Sequence, residues 1–165
     1  MAGKRAQERA KELEAYERYE EACKKVREEN QGYLGEFEEW LKSKGLKEKT
    51  IEEHLSNAGF YINEYLLRED AHPMADGTDG SMLEGFFGDF FVRKCMWSSP
   101  SSVRSTLASL KKFYLCMKEK GHLPAERYAE YLENVKESKE EWLDFCKRYN
   151  DGEEDDEFSF LFDGI

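Results

Sequence analysis

Along most of this chain the apolar positions recur at intervals of three and four residues, the period of helices rather than strands. Leu13, Tyr16, Tyr19, Cys23 and Val26 form a thin stripe in a segment, Arg5 to Glu29, otherwise dominated by Glu, Lys, Arg and Ala; one long solvated helix is predicted there. Gly32 and Gly35 then loosen the chain. Phe37, Trp40 and Leu41 mark a short amphipathic helix that stops near Lys44-Gly45, glycine being suited to the C-terminal cap. Thr50-Ile51-Glu52-Glu53 fits the capping box, in which hydroxyl and carboxylate satisfy orphan amides at a helix start. Ile51, Leu55, Ala58, Ile62, Tyr65 and Leu66 carry that helix to about Leu67.

Arg68 to Ser81, with Pro73, Gly77, Asp79 and Gly80, cannot sustain a helix and is expected to be an exposed loop. Leu83, Phe86, Phe87, Phe90 and Phe91 form the densest apolar face, on a helix to about Lys94. Ser98-Ser99-Pro100-Ser101-Ser102 reads as a helix start, with a serine cap and Pro100 in the first turn. Val103, Leu107, Leu110, Tyr114 and Met117 continue it to Gly121, and Pro124 opens a last helix bearing Tyr128, Tyr131, Leu132, Val135, Trp142, Cys146 and Tyr149. The expectation is an all-α chain of about six helices with one core in which Trp40 and Phe87 are largely buried.

Composition sharpens this picture. The chain has 165 residues, 39% of them hydrophobic and only three proline, enough for one core and too little proline for a turn-rich β protein. No stretch approaches the ~18 apolar residues of a membrane span, and the N-terminus has no apolar run after its basic residues, so a cytoplasmic protein is expected. Cys23, Cys95, Cys116 and Cys146 lie far apart without a CxxC pair and should be buried reduced thiols.

The formal net charge of −11 is unevenly placed: residues 1–30 are balanced, 31–150 contribute −4 and 151–165 contribute −7. Acidity that resides largely in a tail leaves room for a local basic face on the body. From Ser98 to Lys120 there are five basic residues against one acidic. The tail itself combines a carboxylate run with Phe158-Ser159-Phe160-Leu161-Phe162, a pattern suited to a docking peptide that is unstructured alone.

Two blocks, Phe37 to Leu55 and Ser98 to Gly121, set helix, Gly-Leu, Thr-bearing cap, helix, loop, helix, serine-rich cap, helix, Phe-Tyr and Gly in order. In this they resemble the SAM-like core-binding domain of tyrosine recombinases and phage integrases, over roughly residues 31–122. The resemblance implies an orthogonal four-helix bundle, here with an added charged N-terminal helix (1–30), a C-terminal helix (123–150) and the acidic tail (151–165). It also implies that the starts of the second and fourth bundle helices approach the DNA backbone through hydroxyls, basic side chains and helix amides. Carried onto this chain, the DNA-binding residues are Lys47, Lys49 and Thr50 at one start and Ser99, Ser101, Ser102, Arg104 and Ser105 at the other, with Lys111 and Lys112 extending the second face. Glu52, Glu53 and His54, and then Ala58-Gly59, depart from the basic residues usual in that family.

The family's catalytic apparatus is another matter. His54, His72 and His122 form no HxxR sequence, and after the bundle come one helix and an acidic tail where a nucleophilic-tyrosine domain would stand. P-loop, HExxH and GxSxG motifs and Cys-His metal spacings are missing as well, so no enzyme, cofactor or metal is expected. The expected function is a non-catalytic DNA-binding module acting in recombination or integration. The alternative is a protein-interaction adaptor that meets its partner through the N-terminal helix or residues 151–165.

Overall fold

The computed structural model of the chain describes residues 2–152. All their regular structure is helical, with no strand among them. The order is α1 (Ala2–Ser43), α2 (Glu48–Gly59) running into a π-helical turn (Phe60–Tyr65), a 3-10 turn (Met74–Thr78), α3 (Gly80–Gly85), a second π turn (Phe86–Phe90), α4 (Phe91–Lys94), α5 (Pro100–Glu119) and α6 (Ala125–Asn150).

The apolar stripes meet in one core that reaches from Phe37 on α1 to Cys146 on α6. Its centre is aromatic. Tyr65 and Phe86 stack at 4.9 Å, Phe86 and Phe87 at 4.9 Å, and Phe87 and Trp142 at 5.2 Å, so rings from the two π turns and α6 form one continuous pile. The turns are marked by bonds from Leu66 N–H to the Tyr61 carbonyl and from Phe91 N–H to the Phe86 carbonyl. Phe87 is fully buried as expected, and all four cysteines are free and buried. Burial pushes the thiols of Cys95 and Cys146 up, and that of Cys116 to about 11.

Four expectations need correction. First, α1 passes unbroken through Gly32 and Gly35, so the boundary expected at 30/31 falls inside one helix. Packing overrides glycine's penalty of about 1 kcal/mol per site. Asn30 donates to the Ile62 carbonyl and Phe37 meets the Phe113 ring edge-on, holding the helix to the body on both sides of the glycines. Second, α2 begins at Glu48, ahead of Thr50, with Lys47 as N-cap and no side-chain cap; Thr50 is an ordinary position in the first turn. Third, the segment after Leu67 is pinned from beneath. Tyr61 donates to the Gly77 carbonyl, Tyr114 to that of Met74 and Asn134 to that of Thr78, and Met74, Gly77 and Thr78 are buried. Fourth, Trp40 is half-buried: its indole N–H donates to Glu119 at 2.7 Å across the edge of the core, beneath the Lys44 ammonium. The six α-helices, α1 to α6, agree with the expected number of about six.

The first part of α1 stands clear of the body. Residues 3–18 are exposed, and the helix engages only from Tyr19, whose hydroxyl donates to the Leu67 carbonyl, through Cys23 and Val26. The acidic, Phe-rich segment lies, from residue 153 on, outside the described residues.

Candidate nucleic-acid interface

The start of α5 is built as the serine run predicts. Ser99 Oγ accepts from the Ser102 amide at 3.0 Å while the Ser99 amide donates to Ser102 Oγ at 2.7 Å, with Pro100 opening the helix. This reciprocal cap uses the hydroxyls and amides that the family resemblance would present to a phosphate. Ser101 is exposed at the same turn.

Helices α2 and α5 pack together, with Asn57 in contact with Ser105 and Ser109, and His54 with Ser109. Ser105 Oγ donates to Glu53 at 2.8 Å. Ser109 donates to the Ser105 carbonyl at 3.0 Å and accepts from Asn57, which leaves His54 Nδ1, at 2.7 Å, to donate its proton to the same hydroxyl. Burial and the nearby Lys112 ammonium push His54 below its usual pKa, with Glu53 opposing. Lys112 and Ser105 therefore belong to an α2–α5 polar seam. Lys47, the N-cap of α2, and Lys49 are exposed, and Thr50 is half-buried in the first turn of that helix.

Arg104 and Lys111 point elsewhere, and there they find company. On the other side of α5 a groove of about 340 Å³ runs between it and α6. Its α5 wall is Arg104, Leu107, Ala108 and Lys111, and its α6 wall includes Leu132, Val135, Lys136 and Lys139. Both sets have the i, i+3, i+4, i+7 spacing of a single helix face. Tyr131 forms the floor, donating from its buried hydroxyl to the Leu107 carbonyl at 3.0 Å. Arg104, Lys111, Lys136 and Lys139 are exposed, and among the described residues no carboxylate lines the groove and none of the four enters an ion pair.

Sequence reasoning misses Lys136 and Lys139. Linear charge counting hides them, because Glu133, Glu137 and Glu140 interleave with them. The spacing Leu132, Val135, Lys136, Lys139, set beside that of Arg104, Leu107, Ala108, Lys111, is the signal that could have found them.

Among the described residues no cluster of His, Cys, Asp and Glu is placed to hold a metal ion, and no helix is long and apolar enough to cross a membrane. No family model, curated protein or solved structure matches the chain.

Proposed function

We propose that this chain is a non-catalytic module that grips the nucleic-acid backbone through the α5–α6 groove. The observation that carries the reading is the convergence of Arg104, Lys111, Lys136 and Lys139 on one face that no carboxylate of the described residues lines, in a protein of net charge −11. Such a site attracts a polyanion locally while the rest of the surface repels it, which suits backbone contacts and not base reading. The resemblance to the SAM-like core-binding domain of tyrosine recombinases supports the same direction, with recombination or integration as the setting. The proposed contact differs from that family's in using α6, outside the resembling blocks, and in a groove lining that does not include Lys47 and Lys49.

A titration of a labelled DNA duplex by the full chain, read by anisotropy from about 50 to 200 mM salt, tests this. Four phosphate contacts give a slope of log affinity on log salt near about −3.6, hence a loss of about 10²-fold across that range. Duplexes of unrelated sequence should bind alike, and Lys136→Glu should weaken both. A flat salt dependence, or no binding at the low-salt end, would refute the reading.

A second reading, the protein-interaction adaptor, is favoured by α1. Leu13 and Tyr16 are 58% and 56% exposed on the part of the helix that stands clear of the body. Leu13→Glu should abolish association with a helical partner and leave DNA affinity unchanged; loss of DNA binding on that substitution would argue against a separate α1 surface.

A further inference from the structure

The part of α1 ahead of Tyr19 is helix without a neighbour: residues 3–18 are all exposed. That length, about 24 Å at about 1.5 Å per residue, is only marginally stable in water without packing. It also leaves apolar side chains in solvent. Ala6, Ala10, Leu13 and Tyr16 follow one another at i, i+4, i+7 and i+10, so they share one face of the helix.

The charges on this helix are sorted along its axis. Lys4, Arg5, Arg9 and Lys11 against Glu8 leave residues 4–11 at +3. Glu12, Glu14, Glu17, Glu20 and Glu21 against Arg18 leave residues 12–21 at −4. None of these charged residues enters an ion pair among the described residues. A polyanion laid along the helix would be attracted by the first half and repelled by the second. A partner that satisfies both halves is an amphipathic helix with the same charge polarity, run in the opposite direction. A second copy of α1 supplies one.

We infer that α1 is a self-association helix, two copies pairing antiparallel over residues 4–21. Each basic half then faces an acidic half, whereas a parallel pair would oppose like charges throughout. The midpoint falls between Glu12 and Leu13, so the two Leu13 side chains meet near the two-fold axis and Tyr16 comes beside Arg9 of the second copy, where ring and guanidinium attract. Because α1 engages its own body only from Tyr19, the two bodies lie at opposite ends of the pair. The inference deepens the α1 reading by naming its partner and does not require the groove to bind nucleic acid.

The test is the mass of the full chain by sedimentation equilibrium over a concentration series, in four forms. They are the unaltered chain, a basic-half reversal (Arg5→Glu, Arg9→Glu and Lys11→Glu), an acidic-half reversal (Glu14→Lys, Glu17→Lys and Glu20→Lys), and a chain with both sets. All six positions are exposed on α1, and circular dichroism verifies the helical content of each form. The basic-half reversal makes residues 4–11 −3, and the acidic-half reversal makes residues 12–21 +2. Either set alone thus gives the helix one sign along its length. The unaltered chain should form a reversible dimer. Raising the salt from about 0.1 to about 1 M, which shortens the Debye length from about 10 to about 3 Å, should weaken it at least about tenfold. Each single reversal should be monomeric, and an equimolar mixture of the two should pair. The chain with both sets has its polarity inverted and should dimerise again.

An unaltered chain that stays monomeric across the series overturns the inference, as does a single reversal that dimerises as tightly as the unaltered chain. A doubly reversed chain that stays monomeric while the mixture pairs overturns the antiparallel arrangement. A monomeric chain that still captures a different helical protein through Leu13 keeps the α1 surface and overturns the second copy as its occupant. The groove reading stands or falls separately, on the DNA titration.

Discussion

Gly85 offers a quantitative test of the aromatic pile, because its worth depends on a single hydroxyl. Its backbone is helical, at φ −62 and ψ −33, and the chain continues as helix on both sides, so alanine should on propensity alone stabilise by up to about 1 kcal/mol. A Cβ there would, however, overlap the Tyr65 hydroxyl, whereas the next ring atom, Cζ, stands at 3.7 Å, an ordinary contact. The ring cannot swing away, since it stacks on Phe86 at 4.9 Å and on Tyr61 at 5.6 Å and meets Phe90 edge-on at 5.3 Å. Overpacking of this kind costs about 1–3 kcal/mol, which outweighs the propensity gain, so Gly85→Ala should destabilise by about 1–2 kcal/mol. Tyr65→Phe alone should cost no more than about 0.5–1.5 kcal/mol, the net contribution of a typical single hydrogen bond. In the Tyr65→Phe background the overlap is gone and Gly85→Ala should stabilise. The double-mutant cycle in urea, followed by far-ultraviolet circular dichroism, should give a coupling of about 2 kcal/mol. Effects that add to within about 0.5 kcal/mol would show that the two positions do not meet as described.

The same structure yields two further outcomes. Gly32 and Gly35 lie within α1 and a Cβ at either meets nothing within 4 Å, so Gly32→Ala and Gly35→Ala should each raise stability by about 0.5–1 kcal/mol; a loss in chemical denaturation would mean that the helix is not continuous there. His54 has a folded-state pKa below its ordinary value of 6.5, so the unfolded chain binds its proton more readily and stability, complete above about pH 6.5, declines as the pH falls through and below that value. His54→Gln should flatten the pH dependence of the denaturation midpoint between about pH 5 and 7, and an unchanged slope would remove the imidazole as its source.

What was legible in the sequence is what depends on neighbours within a turn or two. The serine cap at Ser99, the glycine stops at Gly45 and Gly121, both with positive φ, and the stripes of α2, α5 and α6 are all local, and all are found. The misreadings share a different cause. Gly32 and Gly35 predict a break until Asn30 and Phe37 are known to anchor the same helix to the body on either side. Pro73, Gly77 and Gly80 predict an exposed loop until Tyr61, Tyr114 and Asn134 are known to hold its carbonyls from below. The basic site was half visible for the same reason. Arg104 and Lys111 stand in a locally positive helix, while Lys136 and Lys139 join them only because α6 packs antiparallel on α5. Lys112, their sequence neighbour, is turned by one helical step towards α2 and His54.

The central claim, that the α5–α6 groove and not the start of α2 is the polyanion site, is tested by two charge reversals of equal size. Arg104→Glu with Lys136→Glu and Lys47→Glu with Lys49→Glu each replace two cations by two anions, so general repulsion changes equally. With a labelled duplex at low salt and circular dichroism to verify the helical content, the groove pair should lose at least about tenfold in affinity and the α2 pair should lose much less. Equal losses from the two pairs would contradict the account, because the groove would then act only through the protein's overall charge.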